Sequence, residues 1–236
     1  MADEGSSGQP GAPNQWSLDG ENLKEELHYT FSTECDEFKG DPNACFRLGE
    51  WYQVMNQNRD KAMEIYGENC EANDHAKSCF NKAAVLLGGS AGKAQEDNEA
   101  ATLVKKACAL GHTQACDTSA SLMLQGVGGV KDFAGAIKAL ETACEANYSP
   151  SCFRLGMFYL TAFKQVGVER SPTKAKSLLE KGCRYGHPAS CHTLAVMYKK
   201  GDGVPQDNNK FSHYAKLTKE LIKATGEKLG VKVSGV

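Results

Sequence analysis

No apolar run in this sequence approaches the roughly 18 residues of a membrane-crossing helix. No membrane span is expected. Charge of one sign is not in excess either: 27 basic residues stand against 29 acidic ones, a formal net charge of −2. A general nucleic-acid binder carries a clear basic surplus, so nucleic acid is excluded as the main partner. Apolar and polar residues nowhere alternate as they do in a half-buried strand. There is no C-x-x-C, which argues against thioredoxin-type chemistry, and no C-x-x-C-H, which argues against covalent haem attachment. No cysteine pair has the two-to-four-residue gap of a structural zinc site, and no metal is expected.

Residues 1–20, MADEGSSGQPGAPNQWSLDG, hold neither a basic stretch followed by an apolar core nor an arginine-rich amphipathic stretch. Neither a secretory signal nor a matrix presequence is expected, and the segment reads as a disordered tail. Residues 225–236, rich in Gly and Lys, read as a flexible C-terminus, leaving 21–224 as the folded part.

What the chain does have is cysteine. Ten are present, and they fall in five pairs: Cys35/Cys45, Cys70/Cys79, Cys108/Cys116, Cys144/Cys152 and Cys183/Cys191. The second members follow one another at steps of 34, 37, 36 and 39 residues. A period of this size marks a helical-repeat solenoid. Other residues recur in phase. Cys45-Phe46-Arg47-Leu48-Gly49-Glu50-Trp51-Tyr52 returns as Cys152-Phe153-Arg154-Leu155-Gly156-Met157-Phe158-Tyr159, and Cys191, Leu194, Ala195 and Tyr198 form a third copy.

A glycine-containing loop follows, clearest at Gly201-Asp202-Gly203-Val204-Pro205-Gln206-Asp207 and related at Gly126–Asp132. Glycine permits the left-handed residue that closes a helix. Then comes a candidate N-cap, Asn58, Asp97, Asp132, Ser171 or Asp207, and four residues later Ala62, Ala101, Ala136, Ala175 or Phe211. Alanine at that place lets two helices approach closely. The spacing predicts A helices over 44–55, 76–88, 113–125, 149–162 and 188–200. B helices are predicted over 58–72, 95–110, 131–146, 171–185 and 207–224, and a leading helix over 21–38.

Each cysteine pair then spans the corner from one B helix to the next A helix. Such a corner can bring two Cα atoms within the roughly 4.4–6.8 Å of a disulfide. The alternative is reduced cysteine serving as a small buried hydrophobe. Five complete pairs with no odd member favour disulfides, and disulfides require an oxidising compartment. Without an expected secretory signal, the mitochondrial intermembrane space fits, with its disulfide relay as an import partner.

The pattern A-x-x-x-L-G-x-x-Y, G-x-G-V-x-x-D, K-A, A-x-x-G resembles the Sel-one-like repeat family, relatives of the tetratricopeptide repeat. Leu48/Gly49/Tyr52 and Leu155/Gly156/Tyr159 carry the first block; Gly201/Gly203/Val204/Asp207 the second; Lys61/Ala62 and Lys174/Ala175 the third; Ala109/Gly111 and Gly186 the turn. The resemblance covers about residues 35–224. It implies an all-α, right-handed superhelical solenoid of about five helix pairs. Two branches of that family put one cysteine pair in each repeat. One is mitochondrial and serves respiratory complex assembly, which implies a scaffold without enzymatic activity for complex IV, with complex I as a second client. It also implies respiratory-chain assembly components as protein partners and an association with haem. The other branch is bacterial, secreted and described as beta-lactamase-like. A cytosolic adaptor with reduced cysteines is the third reading.

Candidate chemistry in the residues themselves is sparse. Ser90–Lys93 and Ser171–Lys174 match S-x-x-K, but no S-D-N or K-T-G accompanies them, and a chain with this many serines and lysines yields such matches by chance. The histidines are His28, His75, His112, His187, His192 and His213; His112 and His187 share one turn position, which implies a structural role. A histidine with Met123 or Met197 is the type of pair that ligates haem iron, yet nothing singles one out, and no cofactor is assigned. Trp51, Tyr52, Phe158, Tyr159 and Tyr198 recur at helical spacing and are expected in the inter-repeat core or along a peptide-binding groove.

Overall fold

The computed structural model describes residues 20–89 and 94–228. The predicted tail, residues 1–20, lies outside them except for Gly20, as do Ser90–Lys93 and residues 229–236. Eleven helices are described, and among the described residues there is no strand. The leading helix α1 spans Gly20–Cys35. Five pairs follow: α2 (Pro42–Glu50) with α3 (Arg59–Ala72), α4 (Ala76–Gly89) with α5 (Ala94–Ala109), and α6 (Thr113–Gln125) with α7 (Phe133–Glu145). They continue as α8 (Ser149–Thr161) with α9 (Pro172–Arg184), and α10 (Pro188–Lys200) with α11 (Asn208–Lys228). Each helix packs mainly on its chain neighbours, the arrangement of a solenoid.

Local chemistry explains where the helices start and stop. Asn58 accepts from the Lys61 N–H, Asp132 from the Gly135 N–H, and Asp207 from the N–H groups of Asn209 and Lys210, each supplying an acceptor for amides that have no partner inside the helix. Two expected caps behave differently. Asp97 lies inside the first turn of α5, which already begins at Ala94. Ser171 holds the N-cap position of α9, but its side chain makes no cap hydrogen bond, and Pro172 presets the first helical residue. Ala62, Ala101, Ala136 and Ala175 are all buried, as close helix approach requires.

Three other boundaries depart from expectation. The leading helix stops at Cys35 rather than continuing to 38, because Asp36, Glu37 and Phe38 all turn left-handed (φ 42°, 50° and 67°). Only ten positions separate Cys35 from Cys45, and the chain must reverse within them. The A helix of the first pair does not run regularly to 55; it widens into a π-turn over Trp51–Met55. At the other end α11 continues to Lys228, four residues beyond the predicted limit of 224.

The G-x-G loops do more than end helices. Gly203 has φ +71°, and a Cβ there would stand 2.0 Å from the Cβ of Pro172. Gly128, with φ +74°, would meet the Cβ of Ala101 at 2.4 Å. In each loop this glycine seats against the B helix of the preceding pair, where any side chain would be both strained and obstructed. The second loop lacks the motif. There the Arg59 guanidinium donates to the Val85 carbonyl at 2.9 Å and lies against Gly89.

Among the described residues, the core is divided into four clusters along the solenoid. Every disulfide crosses a corner, the first from the leading helix and the other four from one pair to the next. Cys35–Cys45 joins α1 to α2, Cys70–Cys79 joins α3 to α4, and Cys108–Cys116 joins α5 to α6. Cys144–Cys152 joins α7 to α8, and Cys183–Cys191 joins α9 to α10. The Cα–Cα distances run from 4.6 Å at Cys108–Cys116 to 4.8 Å. In all but the first pair, packing is more extensive within a pair than across these corners. The covalent links therefore reinforce the sparser interfaces.

Candidate functional site

Nine of the ten cysteines are buried; Cys108 is half-buried. The third pair is thus the unequal one. Cys116 lies near the start of α6 and is only 1% exposed, while its partner at the end of α5 reaches the surface. None of the ten is free, so their placement is that of clamps rather than of exposed thiol chemistry. The candidate working surface lies elsewhere, along the row of A helices, between the B helices, and at the N-terminal end.

Along the A row, the N-cap position stands four residues before the second cysteine of each pair: Asp41, His75, His112, Tyr148 and His187. His112 Nδ1 accepts the Ala115 N–H at 3.1 Å. His75 Nδ1 is 2.9 Å from the Ser78 hydroxyl and accepts the Ser78 N–H at 3.3 Å; His187 Nδ1 is 3.1 Å from the Ser190 hydroxyl. Each ring also packs on a phenylalanine of the preceding A helix: His75 on Phe46, His112 on Phe80 and His187 on Phe153, with centroids 4.7–5.5 Å apart. The equivalence of His112 and His187 was legible in sequence. His75 was missed because its turn reads Asn-Asp-His rather than Gly-His, although its distance from Cys79 gives it away.

Where tyrosine replaces histidine, an ion pair holds the A row together. Arg154 Nη1 lies 3.0 Å from Asp117 Oδ2 and donates to the Ser121 hydroxyl at 2.9 Å, and the Ser151 hydroxyl donates to Asp117 Oδ1 at 2.7 Å. Both charged side chains are largely shielded from water.

Burial pushes the pKa of all three turn histidines below the ordinary imidazole value of 6.5, and the nearby Lys77 charge adds to this at His75 and His112. The fold thus favours the neutral ring. A group depressed in the folded state contributes stability that is fully present above its ordinary pKa and is lost as pH falls below it. The expected result is a melting temperature that drops between about pH 7 and about pH 5. His112→Asn retains a capping oxygen without the titrating ring and should flatten part of that slope. A melting temperature independent of pH over this range would contradict the assignment.

Between the B helices α7 and α9 lies a cleft of about 350 Å³. Leu155, Leu178 and Tyr159 supply its apolar lining, Glu141 and Glu145 stand on one side, and Lys174 and Lys181 on the other. Lys174 Nζ sits 5.2 Å from the centre of the Tyr159 ring, and Lys181 donates to the Glu145 carbonyl at 3.2 Å. Lys174 of the second S-x-x-K match is thus a cleft-wall cation.

The remaining aromatics divide between core and surface. Tyr198 is buried and stacks on Tyr214. Phe158 stacks on Phe163. Trp51 and Tyr52 face α1, where Trp51 Nε1 donates to the Lys24 carbonyl and the Tyr52 hydroxyl meets His28 Nε2. Met197 is buried in the last core cluster, and Met123 packs against the cluster around Leu140. His192 lies exposed on α10, and His213 meets the Tyr214 ring edge-on. No described helix is long and apolar enough to cross a membrane.

The family model for the Sel1 repeat matches residues 42–74, 76–112, 149–187 and 188–210, more than half of the chain. The resemblance expected over about residues 35–224 is matched on both sides of the pair α6/α7, which itself lies outside those matches. Cys108 falls inside the second match and Cys116 outside it, so the third disulfide crosses its edge. The physical reason is in the side chains. Cys116 keeps the corner, but Ser119, Ala120 and Met123 stand where the first block has Leu, Gly and Tyr, and Asp117 and Ser121 of the same helix link to Arg154.

Cytochrome c oxidase assembly factor 7 of Xenopus tropicalis is 29% identical over 216 residues, covering 88% of this chain and 92% of that protein. The human protein of the same name is 31% identical over 196 residues, covering 80% of this chain and 82% of its own length. Among solved structures, a Sel1 repeat protein from Oxalobacter formigenes superposes with a TM-score of 0.70 at 22% identity, covering 88% of this chain and 87% of that one. This last likeness shows the fold alone.

Proposed function

Since the chain belongs to the Sel1 repeat family and, within it, to the cytochrome c oxidase assembly factor 7 family, we propose that it serves the assembly of cytochrome c oxidase, respiratory complex IV. It acts there as a scaffold without enzymatic activity, in the mitochondrial intermembrane space. Its helix rows hold respiratory-chain assembly components in place, with complex I as a second client.

The observation that carries this reading is the disulfide set. Five links, one at the corner ahead of each helix pair, belong to an oxidising compartment. Together with relatives named for cytochrome c oxidase assembly, this supports the intermembrane space over the cytosol. The disulfide relay of that compartment is then the partner that matures the chain. A solenoid offers extended rows of side chains rather than one enclosed pocket, which suits a scaffold.

The test is genetic and biochemical. Cells lacking the protein should lose assembled complex IV on native gels and regain it with the wild-type chain. The protein should resist protease in intact mitochondria and become digestible once the outer membrane is ruptured. Unchanged complex IV in the deleted cells, or a cytosolic protein, would overturn the proposal.

A further inference from the structure

We infer that the cleft between α1 and the end of α2 is a docking site for a cationic amphipathic helix of a partner protein. The cleft measures about 330 Å³ and is lined mainly by Leu27, Phe31, Trp51, Val54 and Met55. Val54 is 67% exposed and Met55 44% exposed. Leu23 and Tyr29 of α1 are also exposed, so four of the seven exposed large hydrophobic side chains among the described residues belong to this one end. Leu23, Leu27 and Phe31 recur every four residues and form a stripe along α1. Val54 and Met55 belong to the π-turn, a distortion that concentrates at working sites. An apolar channel between two helices is the geometry that accepts a third helix by its apolar face.

Charge selects the occupant. Residues 20–75 carry 13 acidic and 5 basic side chains, a net −8, although the whole chain has a net charge of only −2. The cation that lines the cleft is already engaged: Arg47 pairs with Glu34 at 3.0 Å and covers the Phe31 ring. Among the described residues, Glu25, Glu26 and Glu50 have no cation within ion-pair distance, and Glu50 borders the cleft. An apolar channel beside uncompensated carboxylates complements a helix whose leucine-like face is flanked by Lys or Arg. An anionic membrane surface would be repelled. Among the described residues, a second copy offers no such helix either. The basic α11 turns Tyr214, Leu217 and Leu221 inward and presents Lys216, Lys219 and Lys223 to solvent.

The inference stands apart from complex IV assembly, because it is read on the purified oxidised chain. The probe is a fluorescent synthetic helix of roughly 18 residues with leucine on one face and lysine on the other, and its counterpart has glutamate for lysine. Anisotropy should show micromolar binding of the lysine peptide, at least about tenfold weaker for the glutamate peptide and weaker at high salt. Val54→Asp with Met55→Asp, and separately Glu25→Lys with Glu26→Lys and Glu50→Lys, should each weaken binding by about tenfold. All five side chains are at the surface, so melting temperature should hold. Equal binding by wild type and both variants, or none by wild type, would overturn the proposal. So would displacement of the probe by a peptide of residues 1–19, which would make the chain's own segment the occupant, or salt-sensitive self-association abolished by the Val54/Met55 variant.

Discussion

Replacing Cys144 and Cys152 together by alanine should lower the unfolding free energy by about 2–3 kcal/mol, the chain-entropy value for a loop this short. Both side chains are buried, and alanine retains the Cβ packing, so the lost link is the main change. The effect should be local in origin. The link joins α7 to α8, a corner with less packing than either helix pair it connects. Urea denaturation of the oxidised protein measures the loss. An unchanged midpoint would mean that the corner is held by packing alone.

Leu140→Ala should cost still more, about 3–5 kcal/mol. Leu140 is fully buried on α7 and meets Ala120, Ala136, Cys152 and Leu155, so its removal leaves a cavity at the junction of α6, α7 and α8. Ala120 and Ala136 are small and Cys152 is covalently tied, so these neighbours have little freedom to fill the space. Leu110→Ala, at an exposed turn, should change stability by less than about 0.5 kcal/mol. Because the core is split into separate clusters, hydrogen exchange should accelerate across α6–α9 while α1–α3 remain protected. Uniform acceleration along the chain would contradict a nearest-neighbour solenoid.

Much of this architecture could be read from residues alone, and the reasons are local. Cysteine period set the repeat, and Asn58, Asp132 and Asp207 marked helix starts because their side chains cap directly. Cys116 shows the strength of that signal, since spacing placed it at a corner in the one repeat that the family pattern leaves unmatched. The second glycine of each G-x-G loop was visible as a motif, but its job, seating against Pro172 or Ala101 of another helix, is tertiary. The left-handed turn at Asp36–Phe38 was not legible, since those residues continue a helical pattern and only the reversal toward Cys45 breaks it. The Asp117–Arg154 pair escaped for a similar reason. Arg154 was read within the recurring Cys-Phe-Arg-Leu-Gly block, but its partner lies 37 residues earlier on another helix.

The candidate surfaces divide in the same way. Trp51 and Tyr159 were expected in the core or along a groove, and they line the two clefts. Which carboxylates face those clefts depends on how adjacent helices set their side chains. The acidic surplus of the first helices is hidden in the near-neutral total because the basic residues collect toward α11.

The central claim is that every corner of this solenoid is closed by a disulfide. Intact-mass spectrometry of the protein isolated from its native cells, alkylated first without and then with reduction, tests it most directly. The expected result is no alkylation before reduction and ten alkylated cysteines after it. Ten alkylated cysteines before reduction would contradict it. They would make the pairs packing residues and remove the main support for the intermembrane space.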